Sequence, residues 1–229
     1  MTTSTNLVRA AGLAAAVGGG LFAGVQAIHP PDVAASVTTG AWVTVHLMSM
    51  AMSVCNVVGV VGIQARQGRQ AGWLGAVGST LFGAFWALAA CFQFAEAFVL
   101  PLVAADAPAF VESWMGMVSD TGGPMDLGPL AVAWTASGLL YLLGGLVLGV
   151  ATTRARVLTR WAGGLLAGAA IAAPVMTVLL PHTLVRTAAL PMALALVWLG
   201  YALWSERRET VESARPVVGS TSLGQAAAR

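Results

Sequence analysis

Residues 41–100 read AWVTVHLMSMAMSVCNVVGVVGIQARQGRQAGWLGAVGSTLFGAFWALAACFQFAEAFVL, and this stretch decides the fold class. It holds two apolar runs, 41–63 and 72–100, separated by a short polar segment carrying Arg66 and Arg69. Each run exceeds the ~20 residues that cross about 30 Å of hydrocarbon as a helix. Outward from it, similar runs lie at 8–28, 129–151, 158–180 and 187–204. The sequence therefore predicts an all-α, polytopic transmembrane bundle of six helices. The composition agrees: the 229 residues have a mean hydropathy of +0.81 and only 9% are charged, against about 25% in a soluble domain. A soluble globular protein is excluded.

The arginines orient the bundle. All eleven basic residues are Arg, which reads as a GC-rich coding bias, and no basic patch points to nucleic acid. Arg9, Arg66 and Arg69, the Arg154–Arg156–Arg160 group, and Arg207 and Arg208 flank alternate ends of the runs; Arg186 is the exception. Arginine-bearing loops stay on the cytoplasmic side, so a multi-pass protein of the cell membrane with both termini cytoplasmic is expected. Arg9, the apolar stretch to Val25 and the pair Val25 and Ala27 also fit a loose signal-peptide pattern, but the run's length and Pro30-Pro31 favour a span. The expected division is a transmembrane domain over 1–205 and a polar, disordered cytoplasmic tail over 206–229. Cys55 and Cys91 sit in apolar runs without a metal or redox spacing. Gly20, Gly24, Gly75, Gly78 and Gly83 read as close-packing positions between helices.

The loop from Pro101 to Gly128 is long for a connection between packed helices. Asp106 is the expected cap of a helix inside it, with Pro108 in the first turn. Phe110, Val111, Trp114, Met115 and Val118 share one face, so an amphipathic helix at the outer surface, between the third and fourth spans, is predicted.

Polar side chains inside the runs are the most informative feature, since an ionisable group at mid-membrane costs roughly 2.5–3.5 kcal/mol on insertion scales. His46, Ser49, Ser53 and Asn56 recur at helical spacing and form one polar face of the second span. Phe82, Trp86, Gln93 and Glu96 form a face of the third, and Trp134, Ser137 and Tyr141 of the fourth. At 1.5 Å per residue, His29, His46, His182, Glu96, Gln26 and Gln93 all fall in the outer half. They predict a polar pocket, opening outward and walled by aromatic residues, for a lipophilic small molecule arriving from the surrounding membrane lipid.

Such residues suit proton chemistry. A buried carboxyl can act as a general acid, which points to Glu96 as the proton source with His46 and Gln93 beside it. Trp86, Phe92, Phe94, Trp114 and Trp134, with Ser137, Tyr141 and Asp126, are the candidate substrate contacts, the aromatic faces serving to stabilise a cation. In size, helix content and the Trp86–Phe98 segment bearing Glu96, the chain resembles the small membrane-integral terpene cyclases that close prenyl chains on meroterpenoids and indole-linked terpenoids. The resemblance implies proton-initiated cyclisation without a cofactor. That family often adds a seventh span and a second intramembrane acid; here Glu112 and Asp126 fall in the outer loop region. Two other classes compete. His46 with His29 or His182 could hold haem or another metal, and a polar core with helices interrupted at Pro174 or Pro191 could serve a small transporter or a non-catalytic scaffold.

Overall fold

The computed structural model describes residues 2–180 and 184–213. Over these the chain is helical, with no strand among the described residues. The helices are α1 (Thr2–Ile28), α2 (Gly40–Phe94), α3 (Leu100–Val103), α4 (Pro108–Val118), α5 (Pro129–Ala155), α6 (Arg160–Leu179) and α7 (Leu190–Ser213). A π-helical turn at Ala95–Val99 joins α2 to α3, and a short 3₁₀ turn, Val185–Ala189, leads into α7.

Among the described residues five helices are long and apolar enough to cross a membrane, consistent with a multi-pass membrane protein. The two expected runs 41–63 and 72–100 fall within one of them, the 64-residue stretch Gly40–Val103. It is not straight. Gly68 (φ 47°, ψ −127°) and Gly72 (φ 58°, ψ −154°) leave helical geometry for conformations that only glycine adopts without strain. The chain doubles back there: Ser79 Oγ donates to Gln64 Oε1 at 3.1 Å, and Trp42 and His46 meet Glu96 at the far end. Residues 40–67 and 73–94 are thus antiparallel neighbours. The turn is so short that helical bonding resumes almost at once on its far side.

Helix α1 packs between the first half of α2 and α7, while α5 packs between the second half of α2 and α6. Small residues set these approaches. A β-carbon at Gly12 would lie 2.9 Å from the Gly200 carbonyl oxygen, and one at Gly149 2.7 Å from that of Gly163. With lipid tails as apolar as the helices themselves, such backbone contact supplies much of the association. Gly78 and Gly144 do the same where α2 meets α5. Gly20, by contrast, faces open space.

One apolar core, built on Ile63, Phe82, Trp86, Leu148, Leu166 and Leu196, runs through the bundle. A second lies at the α4 end, around Trp42, Phe92, Leu100, Val111, Trp114 and Met115. Helix α4 starts where expected, but Ala107 is its N-cap and Asp106 makes no capping bond. Nor does α4 rest on a single face. Val111, Ser113, Trp114, Met115 and Gly116 are all buried, because the following segment returns across it: Met125 N–H donates to Ser113 Oγ at 2.9 Å, and Gly122 packs directly on Gly116. Helix α7 continues past Ser205 to Ser213, and residues 214–229 of the expected tail lie outside the described residues.

Candidate functional site

The site begins with a backbone defect. Pro101 has no N–H to give, and in the turn before it Leu100 N–H bonds to the carbonyl of Ala95 rather than Glu96. The Glu96 carbonyl is left without a backbone donor. The indole of Trp42 supplies one, Nε1–H donating at 2.8 Å across the fold-back of α2. That bond fixes the first turn of α2 against the last, and one turn further along α2 it brings His46 to the Glu96 carboxyl.

His46 Nε2 stands 3.3 Å from Glu96 Oε2. The other imidazole nitrogen, Nδ1, lies 2.7 Å from the Trp42 carbonyl; a carbonyl only accepts, so Nδ1 carries a hydrogen and Nε2 faces the acid. The second carboxyl oxygen, Oε1, accepts from Trp114 Nε1–H at 3.0 Å. Trp42, His46, Glu96 and Trp114 are all buried, with Glu96 5% exposed. One carboxyl oxygen is thus held by the Trp114 indole and the other faces the imidazole. Glu96 and His46 face each other in a buried chamber walled by two indoles.

His29, just beyond the end of α1, extends the cluster. Its ring meets His46 edge to face, centroids 5.1 Å apart, and Trp42 at 5.9 Å. Its Nδ1 lies 2.7 Å from the Pro30 carbonyl and 3.7 Å from Asp32 Oδ1. Burial holds the His29 pKa below the ordinary imidazole value, a tendency that Arg186 reinforces and that the Pro30 carbonyl and Asp32 oppose. Asp32 in turn accepts from Arg186 Nη2 at 2.6 Å. Named contacts thus run unbroken from Arg186 and Asp32 through His29 and His46 to Glu96.

Asp32 and Arg186 also line a cavity of about 720 Å³ at the α4 end of the bundle. Phe22, Phe85, Trp134 and Tyr141 wall it, and Gln26 and Thr177 add polar groups. Of the residues singled out from the sequence, Gln26, Trp134 and Tyr141 line this cavity. Phe92 stands between cavity and chamber, its ring edge-on to both Trp134 (5.2 Å) and Trp114 (5.8 Å). Trp86 is buried behind the wall against Phe22, Phe82 and Phe85. Ser137 is buried and donates to the Trp134 carbonyl at 2.6 Å.

Others are not brought together. Phe94 and Phe98 pack on each other on the outside of the bundle, 52% and 47% exposed. They share a segment with Glu96 but face the other way, as neighbours two residues away on a helix must. Gln93 is half-buried with no hydrogen bond among the described residues. Asp126 is exposed, its Oδ1 accepting from Gly128 N–H at 2.8 Å. His182 lies outside the described residues. His29 and His46, the other alternative ligands, already touch, which leaves no space for a porphyrin between them, and no group of three or more metal-binding side chains converges among the described residues.

Trp42, Asp32 and Arg186 were not singled out from the sequence. Trp42 lies four residues before His46, on the same helical face, and that spacing was a usable signal. Asp32 follows α1 and Arg186 lies in the 3₁₀ turn before α7, and nothing local pairs them. No protein-family model, curated protein or solved structure matches the chain.

Proposed function

We propose that the chain crosses the membrane six times, the two arms of α2 each spanning it, and acts as an enzyme transferring protons to and from a lipophilic substrate held in the cavity. The fold-back of α2 at Gly68–Gly72 and the placement of Arg9, Arg66, Arg69 and Arg154 support this count, with the α4 end outside and both termini cytoplasmic. Helix α4 then caps the outer end of the bundle.

The observation that carries the activity is the Glu96–His46 pair, an acid and a base sealed from bulk water beside a cavity walled by aromatic rings. A proton held in so dry a place has few competing acceptors, and its delivery is controlled by what contacts the pair. His29, in ring contact with His46, and Asp32, which meets the cavity, lie between the pair and the cavity. The aromatic walls suit a substrate that develops positive charge. Cyclisation of an isoprenoid chain begun by protonation is the form that the resemblance implies; the proton added at the start is lost at the end, so the step needs no cofactor or other reactant.

The test uses protein in lipid nanodiscs, incubated in deuterated water with prenylated aromatic substrates. An isomeric product carrying solvent deuterium is expected from the wild type and none from Glu96→Gln, which keeps the shape but cannot give up the same proton. Turnover retained by Glu96→Gln overturns the assignment.

A further inference from the structure

We propose that the ligand of the cavity is an amphiphile with an uncharged, oxygen-bearing head, read by the Asp32–Arg186 pair, and an apolar body held among Phe22, Phe85, Trp134 and Tyr141. The inference rests on the cavity being the ligand site, as argued above, and names the class of molecule it takes.

The charge balance comes first. Asp32 and Arg186 both line the cavity and neutralise each other at 2.6 Å, so this wall carries two charges and no net charge. A carboxylate head would compete with Asp32 for Arg186, and an ammonium head would compete with Arg186 for Asp32. Either leaves a third charge without a partner of its own beside a pair whose side chains are 32% and 29% exposed, and sets it against an aromatic wall that hydrates it less well than open water. A hydroxyl or carbonyl head adds no charge and leaves the ion pair whole.

The second observation is the set of hydrogen-bonding atoms that the protein itself does not use. The bonds of Arg186 to Asp32 Oδ2 and the Pro30 carbonyl both come from Nη2, leaving Nε and Nη1 without a partner among the described residues. The Tyr141 hydroxyl, on the cavity wall, has none among them either. Gln26 donates from Nε2 to the Phe22 carbonyl, which leaves its Oε1 to accept. A ligand that displaces solvent from the cavity must replace the hydrogen bonds these groups make to water, and here the lining offers donors and an acceptor with aromatic surface between them. A hydroxylated or keto-bearing lipophile matches that pattern.

The test is tryptophan quenching in nanodiscs by three probes of one chain length: an ω-bromo alkyl alcohol, the matching carboxylate and the matching amine. Bromine quenches on contact, so the fraction lost in Trp134→Phe reports the cavity. The alcohol is expected to saturate that fraction at about tenfold lower concentration than either charged probe. Asp32→Asn is expected to turn the preference to the carboxylate, and Arg186→Gln to the amine. Equal concentrations for all three heads in the wild type overturn the head-group reading while the cavity stands as a lipophile site. No Trp134-dependent quenching by any probe overturns the cavity as the ligand site, and the proposed function with it. The wild-type ranking decides the matter even where a variant fails to fold.

Discussion

His46 and Glu96 are fifty residues apart in sequence, yet His46 Nε2 lies 3.3 Å from Glu96 Oε2 because α2 doubles back at Gly68 and Gly72. Their pairing depends on the indoles around them. Trp42 holds the Glu96 backbone carbonyl and Trp114 the far carboxyl oxygen, so the carboxyl cannot turn away from His46 without leaving the buried Trp114 N–H unpaired.

Glu96→Gln can retain both side-chain contacts, its Oε1 accepting from Trp114 and its amide N–H donating to His46 Nε2. Its stability should fall within about 1 kcal/mol of the wild type, whereas Glu96→Leu strands two buried polar groups at about 1–3 kcal/mol each. Unfolding in mixed micelles measures both. Equal losses for Gln and Leu would show that these bonds do not hold the chamber together.

At the opposite end of the bundle, Gln67 Nε2 donates to Thr152 Oγ1 at 3.0 Å, both side chains fully buried, while Gln67 Oε1 has no partner among the described residues. Thr152→Val is expected to cost about 1–3 kcal/mol by leaving the amide unpaired. Adding Gln67→Leu should recover most of it, giving a coupling well outside the error of a double-mutant cycle. Simple additivity of the two changes would remove this bond from the account.

Glycines should separate into two groups. A β-carbon at Gly78 would run into the Leu148 backbone, whereas one at Gly138 meets nothing. Gly78→Ala is expected to lose about 1–3 kcal/mol by forcing α2 and α5 apart. Gly138→Ala should be neutral, or more stable by about 0.5–1 kcal/mol, because alanine has the better helix propensity. The same loss at both positions would contradict the close approach of α2 and α5.

The lowered pKa of His29 makes a pH prediction with a definite sign. The unfolded chain takes up a proton on this imidazole around pH 6.5, while the folded chain resists until lower pH. The stability at stake is therefore fully present above pH 6.5 and is lost as pH falls below it toward the folded value. Thermal unfolding across that window should show the wild type losing stability on acidification more steeply than His29→Gln. Parallel curves would mean that His29 is as easily protonated in the fold as outside it.

Much of this protein is legible locally. Hydropathy marks the long apolar helices, because crossing hydrocarbon demands length and apolarity whatever the neighbours are. Period-3.6 spacing put His46, Ser49, Ser53 and Asn56 on one face, and all four are buried. The same spacing located α4 but not its burial, which reaches Ser113 and Gly116 beyond the expected apolar face. It could not separate Phe92 from Phe94, since a list of aromatic residues near Glu96 carries no direction until the helix has neighbours. Of these two, Phe92 turns inward to Trp114 and Trp134, and Phe94 turns outward.

What the sequence determined by itself was the medium, the helices and the faces they would hide, since these follow from transfer energies and a fixed helical period. The tertiary structure decided which faces meet. The chamber needs Trp42, His46, Glu96 and Trp114 from α2, the π-helical turn and α4, and the cavity needs Asp32 and Arg186 from segments 154 residues apart. Such encounters depend on backbone approach at a few glycines and on a carbonyl freed by a proline one turn away, and neither is written in the local pattern of the residues that finally touch.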